Sequence, residues 1–315
     1  MRFQVIMSKT LKDLFSIKRS ILFLITITAI PLIGAMLFME SDFGELTLAS
    51  MTLAMQNQMV LGFFMIMSFM WIAGIPLVLL AIVTCGDSIS KEQQDGTLLV
   101  LVSKPVRRYE IVIGKFLAFI ISAILLEVIA LLISALVIFS VMDIDIFIFN
   151  NILGLMPSVF FYSLFVVFIF GAIATGFSSL FKNRIKTIIT LAGITILIFF
   201  GFMVIRTWTE PLGIYEDYGL NNIDVNYHLG NSYVLFIQSS GTRIMPIYQG
   251  ILGTFTGTYD ATEVENLFDD DIGAMPPSLE EKDYTSPPVS MLIWIILASL
   301  ALILGILKLE RKEIT

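Results

Sequence analysis

The sequence predicts an all-α membrane protein with six transmembrane helices. Both termini are expected in the cytoplasm, with an interfacial amino-terminal helix and a larger outer loop before the last helix. Of the 315 residues, 57% are hydrophobic and only 14% are charged; soluble chains average about 45–50% and about 25%. A soluble globule could not bury that much apolar surface, and disordered chains are poor in apolar residues. The composition therefore excludes both classes.

Six apolar stretches are long enough to cross a bilayer, whose core of about 30 Å needs about 20 helical residues. Pro31, Pro76 and Pro157 lie inside these stretches or near their starts. Neighbouring helices can satisfy the carbonyls that proline frees, so we expect kinks there and continued helices. The predicted spans are residues 21–39, 59–84, 116–142, 151–181, 188–206 and 290–307.

Residues 1–20 predict an amphipathic helix that lies in the membrane interface. Met7, Leu11 and Leu14 share one helical face, whereas Lys9 and Lys12 lie on others. The following span is too long for a signal peptide and lacks a small-x-small cleavage site. We therefore expect it to be retained.

Basic residues are concentrated in alternate connecting segments, which hold 16 of the 19 lysines and arginines. The positive-inside rule places these segments, and both termini, in the cytoplasm. The remaining connecting segments hold 18 of the 26 acidic residues. The basic segments are residues 1–20, 85–115, 182–187 and 308–315.

The chain divides into four regions. Residues 21–206 contain five spans and the cytoplasmic loop 85–115, and residues 290–315 form the sixth span with a charged tail. Residues 207–289 form an extracytoplasmic acidic lobe. Its first part has apolar runs that could bury a small cap on the membrane, and residues 260–288 are expected to be a mobile acidic linker.

The loop 85–115 has the most informative local pattern. Ser88 to Asp95 predicts a short polar helix that stops at Gly96, and Pro105 separates an apolar run from the next helix. A polar helix followed by an interfacial strip is a surface on which another protein can push. The simpler alternative is an ordinary positive-inside connector.

This loop resembles the corresponding loop of ABC-2 type transporter membrane subunits. The resemblance implies that the polar helix is a coupling helix that docks on an ATP-binding subunit. It extends to six spans, the amino-terminal helix, the basic loop KNRIK and the charged tail. The lobe 207–289 departs from it, being longer than a minimal member needs. The matching residues, in order, are Glu92, Gly96, Thr97, Pro105, Arg108, Gly114 and Lys115.

The resemblance also predicts the partners: an ABC ATP-binding subunit that binds ATP and Mg²⁺, and a second permease in a homodimer or pseudo-dimer. The chain has no G-x-x-x-x-G-K-[ST] loop, so we predict no nucleotide site, cofactor or catalytic residue within it. It would work in the cytoplasmic membrane among lipids, and its net charge of −7 argues against nucleic acid. Lys182, Arg184 and Lys186 of KNRIK are a second contact candidate, or only a topology determinant.

Glu127 is a carboxylate in the middle of the third span, where charge is costly. Helical spacing puts it on a stripe with Ala123, Ala130 and Ser134, so it should face protein. Either it lines a translocation path or it is a hydrogen-bonded packing carboxyl. Similar stripes of small residues predict close helix packing at Ala172 with Gly176 and at Ala298, Ala301 and Gly305.

Two further sequence features are weaker signals of function. Asp143 and Asp145 are too few oxygen ligands for a cation site, so no metal is predicted. His228 should be a structural residue of the lobe. The leading hypothesis is an exporter permease driven by ATP that another subunit hydrolyses; the alternative is an ion-coupled secondary transporter or channel that uses Glu127.

Overall fold

The computed structural model describes residues 2–40, 50–98, 107–260 and 278–311, most of them helical. Six helical segments in these ranges are long and apolar enough to cross a membrane, as predicted. Each begins three to eight residues before the predicted apolar stretch. The helices are α1 (Arg2–Leu14), α2 (Ile17–Glu40), α3 (Leu53–Met67), α4 (Ile75–Ser88), α5 (Ser90–Gln94), α6 (Arg108–Val141), α7 (Ile146–Leu180), α8 (Arg184–Thr209), α9 (Ile214–Asp217), α10 (Val225–Ser239), α11 (Pro246–Thr256) and α12 (Pro287–Arg311).

Consecutive membrane-spanning helices run in opposite directions. The spans are α2, α3 to α5 together, α6, α7, α8 and α12. Helix α1, the end of α5, the start of α6, the α7–α8 connection and the end of α12 lie at one end of the bundle, called here the terminal end. Residues 210–224 and 278–286 lie at the other end, called here the lobe end, and α10 and α11 enter the bundle from it.

The second span is interrupted near its middle. After α3 the chain forms a π-helical turn at Ser68–Ile72, and it restarts as α4 beyond Gly74. A side chain at Gly74 would place its Cβ 2.3 Å from the carbonyl oxygen of Met70, so only glycine fits. Pro76 lies in the first turn of α4, where proline removes no hydrogen bond. The irregularity predicted at Pro76 is a break in the helix.

Pro31 and Pro157 differ from Pro76, because α2 and α7 both continue through them. Pro31 is buried within the bundle, which is the setting in which membrane helices tolerate proline, whereas Pro157 is exposed. The expectation that these residues do not end their helices is confirmed.

Helix α7 is central to the bundle and packs against α4, α6 and α12. Its closest approach is to α12: a Cβ built on Gly176 would lie 2.3 Å from the carbonyl oxygen of Ala301. A Cβ built on Gly305 would lie 2.7 Å from the Cα of Gly176. The predicted small-residue stripes therefore do bring two backbones into contact.

Helices α10 and α11 pack among the spans and reach deeper than the predicted cap. The Tyr233 hydroxyl of α10 donates to the carbonyl oxygen of Met65 (2.7 Å) and lies 2.8 Å from Ser68 Oγ. Met65 is near the far end of α3, at a depth of about 18 Å along that helix. The Tyr248 hydroxyl of α11 donates to the carbonyl oxygen of Met59 (2.7 Å). The two apolar runs of the lobe therefore form helices that insert into the bundle.

His228 joins α10 to α12. Its Nε2 lies 3.1 Å from the carbonyl oxygen of Asn222 and therefore carries the proton, so Nδ1 accepts from the Ser290 hydroxyl at 2.8 Å. Burial lowers the pKa of His228 and favours the neutral ring. These contacts agree with the structural role expected for this residue.

The described part of the expected linker is bound to the lobe. Leu279 is buried, and its N–H donates to Gln249 Oε1 at 2.9 Å. The Tyr227 hydroxyl donates to the carbonyl oxygen of Lys282 at 2.9 Å. Residues 278–286 are therefore not a free linker, whereas residues 261–277 lie outside the described part of the chain.

Helix α1 has the two faces that the sequence predicts. Lys9 and Lys12 are exposed, whereas Leu11 and Leu14 are partly buried, and α1 packs against α6. Its location in the membrane interface stays a prediction.

Replacing Gly176 by leucine should destabilise the protein, because the new side chain would meet the backbone of α12. Overpacking of this kind costs about 1–3 kcal/mol or more. The measurement is thermal unfolding of the purified full chain in detergent. Gly154→Leu is the matched control, since the Cβ of residue 154, also in α7, would have no atom within 4 Å. Equal loss of stability in both variants would contradict close packing at Gly176.

Candidate functional site

The polar helix predicted at Ser88 to Asp95 is α5, which turns away from α4 at the terminal end. Where the two helices part, the N–H groups of Ile89 and Ser90 both donate to Ser178 Oγ at 3.0 Å. The Ser178 hydroxyl in turn donates to the carbonyl oxygen of Gly86 at 2.8 Å. One buried side chain of α7 therefore satisfies three backbone groups at the start of α5.

An ion pair fixes the other face of α5. Lys115 Nζ of α6 lies 2.7 Å from Glu92 Oε2 and also donates to the carbonyl oxygen of Ser88. Lys115 is buried, and Glu92 is partly buried. The structure thus brings together two residues that the sequence predicts at opposite ends of one loop, and α5 is held between α6 and α7.

Arg108 contacts the last span. Its Nη1 donates to the carbonyl oxygens of Leu309 (2.7 Å) and Glu310 (3.2 Å), near the end of α12. A cation is favourable at a helix C-terminus, where unpaired carbonyls concentrate negative charge. Beneath this contact Leu309 packs with Ile89 and Val112 in a small apolar cluster. Arg108 therefore ties α6 to α12 beside the start of α5.

The other loop residues that match the family pattern take no part in these contacts. Gly96 has a φ of +70° and ends the polar helix, as predicted. Thr97 is exposed beside it, whereas Gly114 is buried in α6. Pro105 lies outside the described residues.

The KNRIK loop meets the end of α5. Arg184 Nε lies 3.7 Å from Asp87 Oδ1, and the Arg184 N–H donates to Gln94 Oε1 at 3.2 Å. Lys182 and Lys186 are exposed. The two segments that the sequence predicts as separate contacts are therefore adjacent.

Together these segments form an exposed polar patch at the terminal end, called here the loop surface. It carries charges of both signs and hydrogen-bonding groups, as the rim of a protein interface does. Its exposed members are Lys91, Gln94, Asp95, Thr97, Lys182 and Lys186. Glu92 and Lys115 lie behind it and hold α5 in place.

Glu127 faces protein, as its stripe predicts. It is 1% exposed, and its Oε1 accepts a hydrogen bond from the Ser163 hydroxyl of α7 at 2.8 Å. Its Oε2 is buried and has no hydrogen-bond partner among the described residues. Asp145, one of the two carboxylates considered as cation ligands, caps the N-terminus of α7. It accepts a hydrogen bond from the N–H of Phe147 at 2.7 Å.

Arg206 is a structural centre that the sequence analysis missed. It is buried at the lobe end of α8, 3.1 Å from Asp224 Oδ2, and reaches the carbonyl oxygens of Gly253 and Phe255 at the end of α11. The Tyr215 hydroxyl donates to Asp224 Oδ2 at 2.8 Å. The Arg206 guanidinium thus lies at the C-terminus of α11, and the Asp224 carboxylate lies at the N-terminus of α10. A lone arginine ending an apolar span was the available signal, but spacing could not name its partner.

Ser178→Ala should loosen the junction between α4 and α5, because the N–H groups of Ile89 and Ser90 would lose their acceptor. The loss of one hydrogen bond costs about 1 kcal/mol or more, so exchange of these two amides should accelerate about fivefold or more. Hydrogen exchange with fragment-level mass spectrometry measures this directly on the full chain.

Ser179→Ala is the matched control. Its hydroxyl is equally buried but donates only to the carbonyl oxygen of Thr175 within α7. Unchanged exchange at Ile89 and Ser90 in Ser178→Ala, or equal acceleration in the two variants, would contradict the assigned role of Ser178.

Comparison with known proteins agrees with these features. The model of the family described as ABC-2 family transporter protein matches residues 7–314, which include every span, the loop surface and the lobe. No curated protein matches the chain in a direct sequence comparison. With six helices able to cross a membrane and a family match over nearly its whole length, the chain belongs to the ABC-2 transporter family and is a multi-pass membrane permease of an ABC transporter.

Proposed function

We propose that this permease exports a substrate across the cytoplasmic membrane, using ATP that a separate ATP-binding subunit hydrolyses. ATP and Mg²⁺ would bind to that subunit, since the chain itself has no nucleotide-binding loop. The positive-inside bias supports a cytoplasmic terminal end, where such a subunit works.

The observation that carries this proposal is the loop surface. It lies at the terminal end, it is exposed, and two sequence-distant segments contribute to it through the Arg184–Gln94 contact. A short helix with exposed charges suits a docking element. Lys91 and Asp95 are its outward charged groups, and we assign them the contact with the partner.

The contacts behind the surface would pass movement into the membrane. Ser178 links α5 to α7, and Lys115 links it to α6 through Glu92. Because α7 also packs on α4 and α12, a displacement of α5 would shift these helices as well. Glu92 and Lys115 are therefore proposed as positioning residues of the coupling helix.

The working unit is proposed to be a dimer of permeases. Helix α8 has few buried residues, and its apolar side chains Ile189, Leu197 and Val204 are exposed. Exposed apolar surface on a span is covered by lipid or by another helix. A second permease against part of α8 would bring two coupling helices to two ATP-binding subunits.

The alternative is an ion-coupled carrier that uses Glu127. The unpartnered Oε2 favours it, because a buried carboxyl with one free oxygen can exchange a proton or an ion. The two hypotheses differ in the energy source that drives transport. Transport that persists without ATP but collapses with an ion gradient would favour the alternative.

The direct test is co-purification of the full chain from native membranes with an ATP-binding subunit that mass spectrometry identifies. Lys91→Glu should reduce the amount of captured subunit by about tenfold, because a reversed charge opposes the partner's surface. The readouts are captured subunit and ATPase activity of the complex.

Arg243→Glu provides the matched control, since it reverses an exposed cation at the lobe end. It should leave capture unchanged. Failure to capture an ATP-binding subunit with the unaltered chain would contradict the proposal, as would equal capture by the Lys91→Glu and unaltered proteins.

A further inference from the structure

One face of α2 is exposed along the length of the helix and ends in a cation. Leu22, Ile25 and Met36 of this face are 48–66% exposed, whereas Ile27 on the opposite face is fully buried. Helical spacing puts Lys18, which is also exposed, on the same face as these three apolar side chains. Exposed apolar side chains on a span contact hydrocarbon or another helix. Lys18 therefore lies at the terminal end of a stripe that is suited to lipid.

Helix α1 brings further cations to this end of α2. Lys9 and Lys12 are on its exposed face, and its other face packs against α6. A turn of two residues separates α1 from α2, so the Cα atoms of Lys12 and Lys18 are at most about 20 Å apart. Residues 9–19 contain four cations and one carboxylate, Asp13, which gives them a net charge of +3. We call these residues the α1–α2 junction.

Two observations place the junction at the boundary of the hydrocarbon. Lys9 lies close enough to Lys115 of α6 for their charges to interact, and Lys115 directly precedes the apolar stretch predicted for α6. Lys18 lies three residues, or about 5 Å, before the apolar stretch predicted for α2. Lysines at the end of a span extend their ammonium groups to the interface. The cations of the junction are therefore at the level of lipid headgroups.

We propose that the α1–α2 junction binds the headgroup of an anionic phospholipid, such as phosphatidylglycerol. The phosphate lies among Lys12, Lys18 and Arg19. One acyl chain follows the exposed stripe along Leu22 and Ile25. A zwitterionic headgroup carries its own ammonium, whereas an anionic headgroup leaves the excess positive charge of the junction free to attract it. Each cation near a membrane surface favours anionic lipid by about fivefold.

Other occupants fit this surface less well. A symmetric contact with a second copy through this face would bring the cations of the two junctions together without added carboxylates. An acidic surface of a soluble protein could meet the cations of α1, but it would leave Leu22 and Ile25 uncovered within the hydrocarbon. An anionic lipid satisfies both the charge and the apolar stripe.

The test uses the full chain alone, in phosphatidylcholine nanodiscs without nucleotide. The two probes, used in turn, are phosphatidylglycerol and phosphatidylcholine that carry the same diazirine in one acyl chain. After illumination, mass spectrometry maps the labelled residues. We expect phosphatidylglycerol to label Leu22 and Ile25 at least fivefold more than phosphatidylcholine does. At Met36, near the other end of the same stripe, the two probes should label equally.

Lys18→Gln should reduce the preference for phosphatidylglycerol at Leu22 and Ile25 by about fivefold, because it removes one cation of the junction. Lys186→Gln is the matched control, since it removes an exposed cation at the terminal end of α8. It should leave the preference unchanged. Raising the salt concentration to about 1 M should weaken the preference of the unaltered chain, because it screens exposed charges. This salt titration replaces the variant if Lys18→Gln fails to fold.

Four outcomes would overturn the proposal. Equal labelling of Leu22 by the two probes would exclude recognition of the headgroup, and an equal preference at Met36 would indicate a general attraction of anionic lipid to the chain. An undiminished preference in Lys18→Gln would remove the junction from recognition. A disulfide between two copies through cysteine at position 25, with Cys85 removed and the labelling lost, would make a second copy the occupant. None of these depends on capture of an ATP-binding subunit, so the two proposals fail separately.

Discussion

The structure depends on one constraint: backbone groups that leave the helical pattern in or near the membrane must find partners within the protein. Four side chains meet this need at four irregular points. Ser178 serves the junction of α4 and α5, Tyr233 the π-helical turn, Arg108 the end of α12, and Arg206 the end of α11. Each belongs to a different element from the backbone that it satisfies. The irregular points are consequently where the helices are tied together.

These ties give the proposed coupling helix α5 direct contacts with several spans. The start of α5 is bonded to α7 and α6, and the same region packs on the end of α12. At the lobe end, Arg206 joins α8 to α10 and α11 through Asp224. Helix α7 contacts α5 through Ser178 and also packs on α4 and α12, so in the proposed coupling role it would carry a movement of α5 into the bundle.

Composition and spacing were sufficient to predict six helical spans and the polar helix with its stop at Gly96. The protein-facing stripe of Glu127 and the close helix packing at Gly176 followed from helical periodicity, whereas the pairing of Gly176 with α12 did not. The partners of Glu92, Arg206 and Ser178 did not, because each lies in another helix and spacing along one helix carries no information about the next. The insertion of α10 into the bundle was not predicted, for a related reason. Its polar residues suggest a segment outside the membrane, and only their hydrogen-bond partners in other elements show that they are buried.

The most direct test of the coupling account is photocrosslinking in native membranes. Benzoylphenylalanine would replace Asp95 on the loop surface or, as a control, Tyr218, which is 77% exposed at the lobe end. The account predicts a crosslink from position 95 to a subunit that contains a nucleotide-binding loop, and none from position 218. Crosslinks to that subunit from position 218, or none from position 95 in an intact complex, would contradict it.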